Sequence, residues 1–147
     1  MKRRQPGLRY QIAALPLRRG RDGSTEACLI TSRETQRWLI PKGWPIKGLD
    51  SAETAAREAQ EEAGLIGKIS KKPVASYRYW KRLDQGWELV EVLVHEMKVT
   101  KRLAAWREKS QRKRRWLPLE KAIGLIKEVE LQEILILRSN AEKTEPD

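Results

Sequence analysis

Between Ser51 and Leu65 the chain reads SAETAAREAQEEAGL, and three of its glutamates constrain everything around them. On an α-helix, at about 100° per residue, Glu58, Glu61 and Glu62 lie within about 100° of arc, so three carboxylates share one face. Like charges at spacings of three and four destabilise a bare helix, so such a face is either solvated or neutralised by a cation. Carboxylate oxygens of this kind suit Mg²⁺ or Mn²⁺, which keep several waters and accept phosphate oxygens as further ligands. The opposite side carries only small residues, Ala52, Ala55, Ala56, Ala59 and Ala63, and lets the helix pack close on a sheet. Asp50 or Ser51 is the expected N-cap, and Gly64 the expected left-handed residue that ends the helix. Arg57, four residues before Glu61, is placed to hold that carboxylate.

Taken with Gly43, the stretch resembles the signature box of the Nudix hydrolases: Gly, five residues, Glu, seven residues, then Arg-Glu-apolar-x-Glu-Glu-x-Gly-apolar. Gly43 fills the first position, and Arg57, Glu58, Ala59, Glu61, Glu62, Gly64 and Leu65 fill the last block. Leu49 stands where the box has its first Glu, which removes a carboxylate that supports the loop in the family. The resemblance implies a Nudix-type α/β/α sandwich with a mixed central sheet, and hydrolysis of a phosphoanhydride bond with Mg²⁺ or Mn²⁺. Carried over by position, it implies Glu58 and Glu62 as principal metal ligands, Lys42 as a ligand through its carbonyl, and Glu61 as ligand or general base. Arg57 joins the catalytic set, and Glu108, in a later loop, is a second candidate base.

The remainder of the chain fits one domain over residues 8–139, between a mobile basic lead at 1–7 and a frayed tail at 140–147. Apolar runs at Leu8–Leu17 and Ala27–Thr31 flank a turn-rich Arg19–Ser24 and predict a hairpin. A second hairpin is expected from Val74–Trp80 and Glu88–Val99 across Asp84-Gln85-Gly86. Within these strands Cys28 reads as a small buried hydrophobe and His95 as structural, with Glu91 and Glu96 as rim charges. The stretch 101–115 is dense in cations without a strong period and reads as a surface loop. Helical pattern returns at Pro118, with Ala122, Ile123 and Ile126, then Leu131, Ile134, Leu135 and Leu137.

With 31 Lys and Arg against 20 Asp and Glu, the net charge of +11 favours polyanionic partners. The single cysteine excludes an internal disulfide, and no apolar run reaches membrane-span length, so the chain reads as cytoplasmic with no membrane partner. Thr31-Ser32-Arg33, and Arg112-Lys113-Arg114 followed by Trp116, resemble the diphosphoinositol polyphosphate and diadenosine polyphosphate branch of the family. Arg115 stands where that branch has an acid. The resemblance implies a polyanionic small-molecule substrate bound by Arg33, Lys81, Arg82, Arg112 and Arg114. Two other readings of the same surface are hydrolysis of RNA 5′ ends or nucleoside-diphosphate derivatives, and a non-catalytic binding module. The lack of an evident aromatic-basic strand motif weighs against RNA.

Overall fold

The computed structural model describes residues 8–144. Strict alternation along β1 (Arg9–Arg19) decides the layering. Its odd residues Ala13, Leu15 and Leu17 point to one face and its even residues Ile12 and Ala14 to the other. The strand is buried on both faces, which an edge or one-sided strand would not be.

Around it, among the described residues, stand β2 (Thr25–Thr31), β3 (Trp38–Leu39), β4 (Lys42–Gly43), β5 (Leu65–Ile69), β6 (Ala75–Leu83), β7 (Gly86–Arg102) and β8 (Arg114–Pro118). They form one sheet in the order β3-β2-β1-β7-β5, with β4 alongside β1, β6 alongside β7 and β8 alongside β2. β1 and β7 run parallel, whereas the two expected hairpins, β1–β2 and β6–β7, are antiparallel, so the sheet is mixed. Helix α1 (Ser51–Ala63) covers one face through Ala55, Ala59 and Ala63. Helices α2 (Leu119–Leu125) and α3 (Val129–Thr144) cover the other through Leu119, Ala122, Leu131 and Leu135. This is the expected α/β/α sandwich. Cys28 lies fully buried in the α1-side core, where burial pushes its thiol up to about 12.

Several expectations need correction. The supposed loop at 101–115 contains the end of β7, a 3₁₀ turn at Lys109–Gln111 and the start of β8. Backbone pairing to β2, with Cys28 opposite Trp116, makes β8 a strand although its side chains are mostly charged. Strand β5 was not foreseen; it pairs with the far half of β7. Helix α3 continues to Thr144, so residues 140–144 are helical rather than frayed, and Leu137 is exposed. Glu91 is no rim charge: it is buried and its carboxylate accepts from Arg78 Nε at 3.3 Å. His95 is structural, as expected: it is fully buried, with Nδ1 2.7 Å from the Ser70 carbonyl and Nε2 2.9 Å from Ser51 Oγ, and so ties β7 to the start of α1. The expectations for 1–7 and 145–147 lie outside the described residues. No helix among those described is long and apolar enough to cross a membrane.

Candidate active site

The site is built on α1. At its first turn Asp50 and Glu53 form a reciprocal capping box, Glu53 N donating to Asp50 Oδ1 at 2.8 Å and Asp50 N to Glu53 Oε1 at 3.0 Å. At its last turn Gly64 adopts φ 67°, ψ 35°, the left-handed C-terminal geometry expected of it. A Cβ there would also stand 2.6 Å from the Trp106 ring. Trp106 Nε1 in turn donates to the Glu62 carbonyl at 3.2 Å, Glu108 N to the Glu61 carbonyl at 3.0 Å and Leu103 N to the Gly64 carbonyl at 2.8 Å. Arg114 Nη1 donates to the Ala63 carbonyl at 2.8 Å, and its guanidinium lies 4.1 Å from the Trp106 ring centroid. The chain after β7 thus folds back over the end of α1.

Glu58 and Glu62 stand one turn apart on α1, the first half-buried and the second buried. Burial, then the charge and hydrogen bond of Glu62, then Glu61 and Glu108, push the Glu58 carboxyl from 4.5 up to about 8. Glu62 is also raised by burial, against the pull of Arg112, the bond from Glu58 and the Lys42 N–H. Lys42 N donates to Glu62 Oε1 at 3.2 Å, so β4 orients this carboxylate directly. Gly43 completes the cradle: a Cβ there would sit 2.5 to 2.8 Å from the Glu58 carboxylate atoms. On the other side Arg112, nearly buried, reaches Glu62 Oε2 at 3.5 Å and Glu108 Oε1 at 2.9 Å, and donates to the Thr31 carbonyl at 3.0 Å.

This cradle agrees with what comparison with known proteins finds: residues 8–138 match the NUDIX domain family. The chain belongs to the Nudix family. It is 30% identical over 135 residues to Nudix hydrolase 16, mitochondrial, of Arabidopsis thaliana, which covers 83% of this chain and 74% of that protein. With Nudix hydrolase 12, mitochondrial, of the same plant it shares 29% identity over 104 residues, 68% of this chain and 51% of that protein. The chain therefore spans about half the length of the latter relative. A C. elegans Ap4A hydrolase solved as a binary complex superposes with a TM-score of 0.69 at 20% identity, over 92% of this chain and 98% of that one. The NUDIX domain of Shewanella oneidensis NrtR complexed with ADP ribose gives 0.60 at 16% identity, over 91% of this chain and 88% of that one. At these identities the structural likeness speaks for the fold alone.

On this Nudix scaffold the residues singled out from sequence divide into two groups. Glu58, Glu61, Glu62, Lys42 and Glu108 are brought together at the end of α1. Arg57 does not hold Glu61: it is exposed, and Arg107 takes that carboxylate at 3.4 Å. The backbone bond from Glu108 to Glu61 brings that later loop, and Arg107 with it, across the helix end. Arg112 and Arg114, expected to face phosphate, are engaged inside the protein by Glu62, Glu108 and helix carbonyls. Arg33 stays exposed at the end of β2, near Gln111, and Arg82 lies on the β6–β7 hairpin away from the cradle, 5.7 Å from the Trp87 ring. The Lys42 ammonium was missed from sequence, where its carbonyl alone was considered. It is half-buried, 5.1 Å from the Tyr79 ring centroid, and desolvation, then the nearby Lys81, push it down to about 8.

The donor set suits a divalent cation. Burial and mutual repulsion raise both carboxyls and leave Glu58 and Glu62 in need of one positive charge, which either a proton or a hard cation would supply. Among the described residues no three acidic, His or Cys side chains already converge on a common point, so Glu61 would have to turn from Arg107 to complete a third ligand.

Proposed function

We propose that the chain is a metal-dependent pyrophosphohydrolase that cleaves a phosphoanhydride bond in a highly anionic substrate of the dinucleoside polyphosphate or diphosphoinositol polyphosphate type. The observation that supports this most is the Glu58–Glu62 pair held against Gly43, a costly arrangement that a structural helix would not need. Glu58 and Glu62, with the Lys42 carbonyl, would hold Mg²⁺ or Mn²⁺, which supplies charge neutralisation at phosphoryl oxygens and an activated water. The chain's own residues do the rest. Lys42 N and Arg112 keep Glu62 in one rotamer, and Arg112 also anchors Glu108. Glu61, whose carboxylate is met among the described residues by the exposed Arg107, would take a proton from the attacking water. The Lys42 ammonium, Lys81 and Arg33 supply positive charge for the phosphates.

Glu62→Gln should lower turnover at least about a hundredfold with an unchanged fold, and chelator should abolish activity that Mg²⁺ or Mn²⁺ restores and Ca²⁺ does not. Chromatographic separation of the products formed from dinucleoside polyphosphates, inositol pyrophosphates, nucleoside-diphosphate derivatives and 5′-triphosphate RNA identifies the substrate. Full turnover in excess chelator would overturn the mechanism.

A further inference from the structure

Alternation along β6 sends Tyr77, Tyr79 and Lys81 to one side and Arg78, Trp80 and Arg82 to the other. Tyr77 belongs to the core that α2 and α3 cover, with Tyr79 packed against it. The second side is open toward the hairpin end, at Trp80, Arg82 and Trp87. Pairing with β7 sets Trp80 opposite Leu89, Arg82 opposite Trp87 and Arg78 opposite Glu91. Trp80 and Trp87 are therefore diagonal neighbours on one face, with backbone positions about 7–8 Å apart. Both are largely exposed, at 63% and 62%, and the Arg82 guanidinium lies over the Trp87 ring. Register with β7 adds the Trp87 ring to the Trp80 and Arg82 that β6 presents on this face.

Two large rings left open to water on adjacent strands mark a binding surface. Its charge selects the occupant. The acid on this face, Glu91, is buried and already paired with Arg78. A second copy of a chain with net charge +11 would bring the same cations and be repelled. Flat aromatic faces beside arginines match a ligand that offers bases and phosphates together, and a duplex hides its bases in the stack. We propose that the β6–β7 ribbon binds single-stranded nucleic acid, with bases stacked on Trp80 and Trp87 and a phosphate beside Arg82.

The platform is independent of the hydrolytic reading, because binding is measured without turnover. Fluorescence anisotropy of the full chain with labelled single-stranded RNA and DNA of about 12 nucleotides should show binding that weakens with salt. The double variant W80A/W87A should bind at least about tenfold more weakly, with an unchanged thermal melt and unchanged hydrolysis of small phosphoanhydrides. Equal binding by the double variant would overturn the proposal, since net charge would then account for it. So would a duplex bound as tightly as its single strand. Tryptophan-dependent binding to phosphatidylserine vesicles without oligonucleotide binding, or a dimer that W80A/W87A abolishes, would reassign the face.

Discussion

The two ends of α1 are held by different means. At the N-terminal end both partners of the capping box lie within four residues of each other, Asp50 and Glu53. At the C-terminal end the helix carries no basic residue in its last turn, yet three carboxylates crowd the negative pole of its dipole. The compensating groups come from about forty to fifty residues further along the chain: Leu103 N, Trp106 Nε1, Glu108 N and the guanidiniums of Arg107, Arg112 and Arg114. The end that merely starts the helix is capped locally, with one remote tie from His95 Nε2 to Ser51 Oγ at 2.9 Å. The end that carries the chemistry is specified by the tertiary fold, so nothing at the site is rigid until the whole domain has folded.

Substitutions at the two ends put this contrast to the test. The largest stability loss is expected for Gly64→Val, which forces a β-branched residue to positive φ and drives Cβ into Trp106. The combined strain and overpacking amount to about 3–5 kcal/mol by urea denaturation. A loss under about 1 kcal/mol would show that the remote clamp yields freely. Arg114→Ala removes the hydrogen bond to the Ala63 carbonyl and a cation from the dipole's negative end, for about 2 kcal/mol, and should lower turnover because Trp106 loses its partner. Stability lost without any fall in turnover would separate the clamp from the chemistry. Asp50→Ala should cost about 1 kcal/mol and leave turnover nearly intact; a large catalytic defect would erase the distinction between the ends.

The smallest effect is expected from pH, in the presence of chelator. Folded Glu58 keeps its proton up to about 8, against 4.5 for the unfolded group, so the folded state binds more protons between these values. The stability from this carboxyl is complete below pH 4.5 and is lost as pH rises through 8; Glu62, also raised, has the same sign. Lys42, lowered to about 8 from 10.5, acts in the opposite sense only above pH 8. The melting temperature should fall by a few degrees more between pH 5.5 and 8 in the parent than in Glu58→Gln. Added Mg²⁺ should stabilise more at the higher pH, because it competes with the proton for the pair. Identical slopes in the parent and the variant would show that the pair is not proton-bridged.

Helix α1, its alanine face, its N-cap and the left-handed Gly64 were all legible in the sequence, because each depends on residues within a turn or two of one another. The hairpins were legible for the same reason. Strand β8 was hidden because its alternation is carried by Arg114 and Trp116 against Arg115, and charged side chains carry no apolar period. Its identity came from backbone bonds to β2. Glu91 could not be known as buried until register set it opposite Arg78.

From local spacing alone, the chain determined that one helix would present Glu58, Glu61 and Glu62 together on a small-residue scaffold. The tertiary structure alone decided which arginine meets which carboxylate, that Arg112 and Arg114 turn inward, that the Lys42 ammonium lies over the Tyr79 ring, and that Trp80 and Trp87 share an open face. Spacing along one helix or turn is set by covalent geometry over a few residues. The pairing of a long, flexible cation with a distant acid depends on where the sheet register brings their backbones.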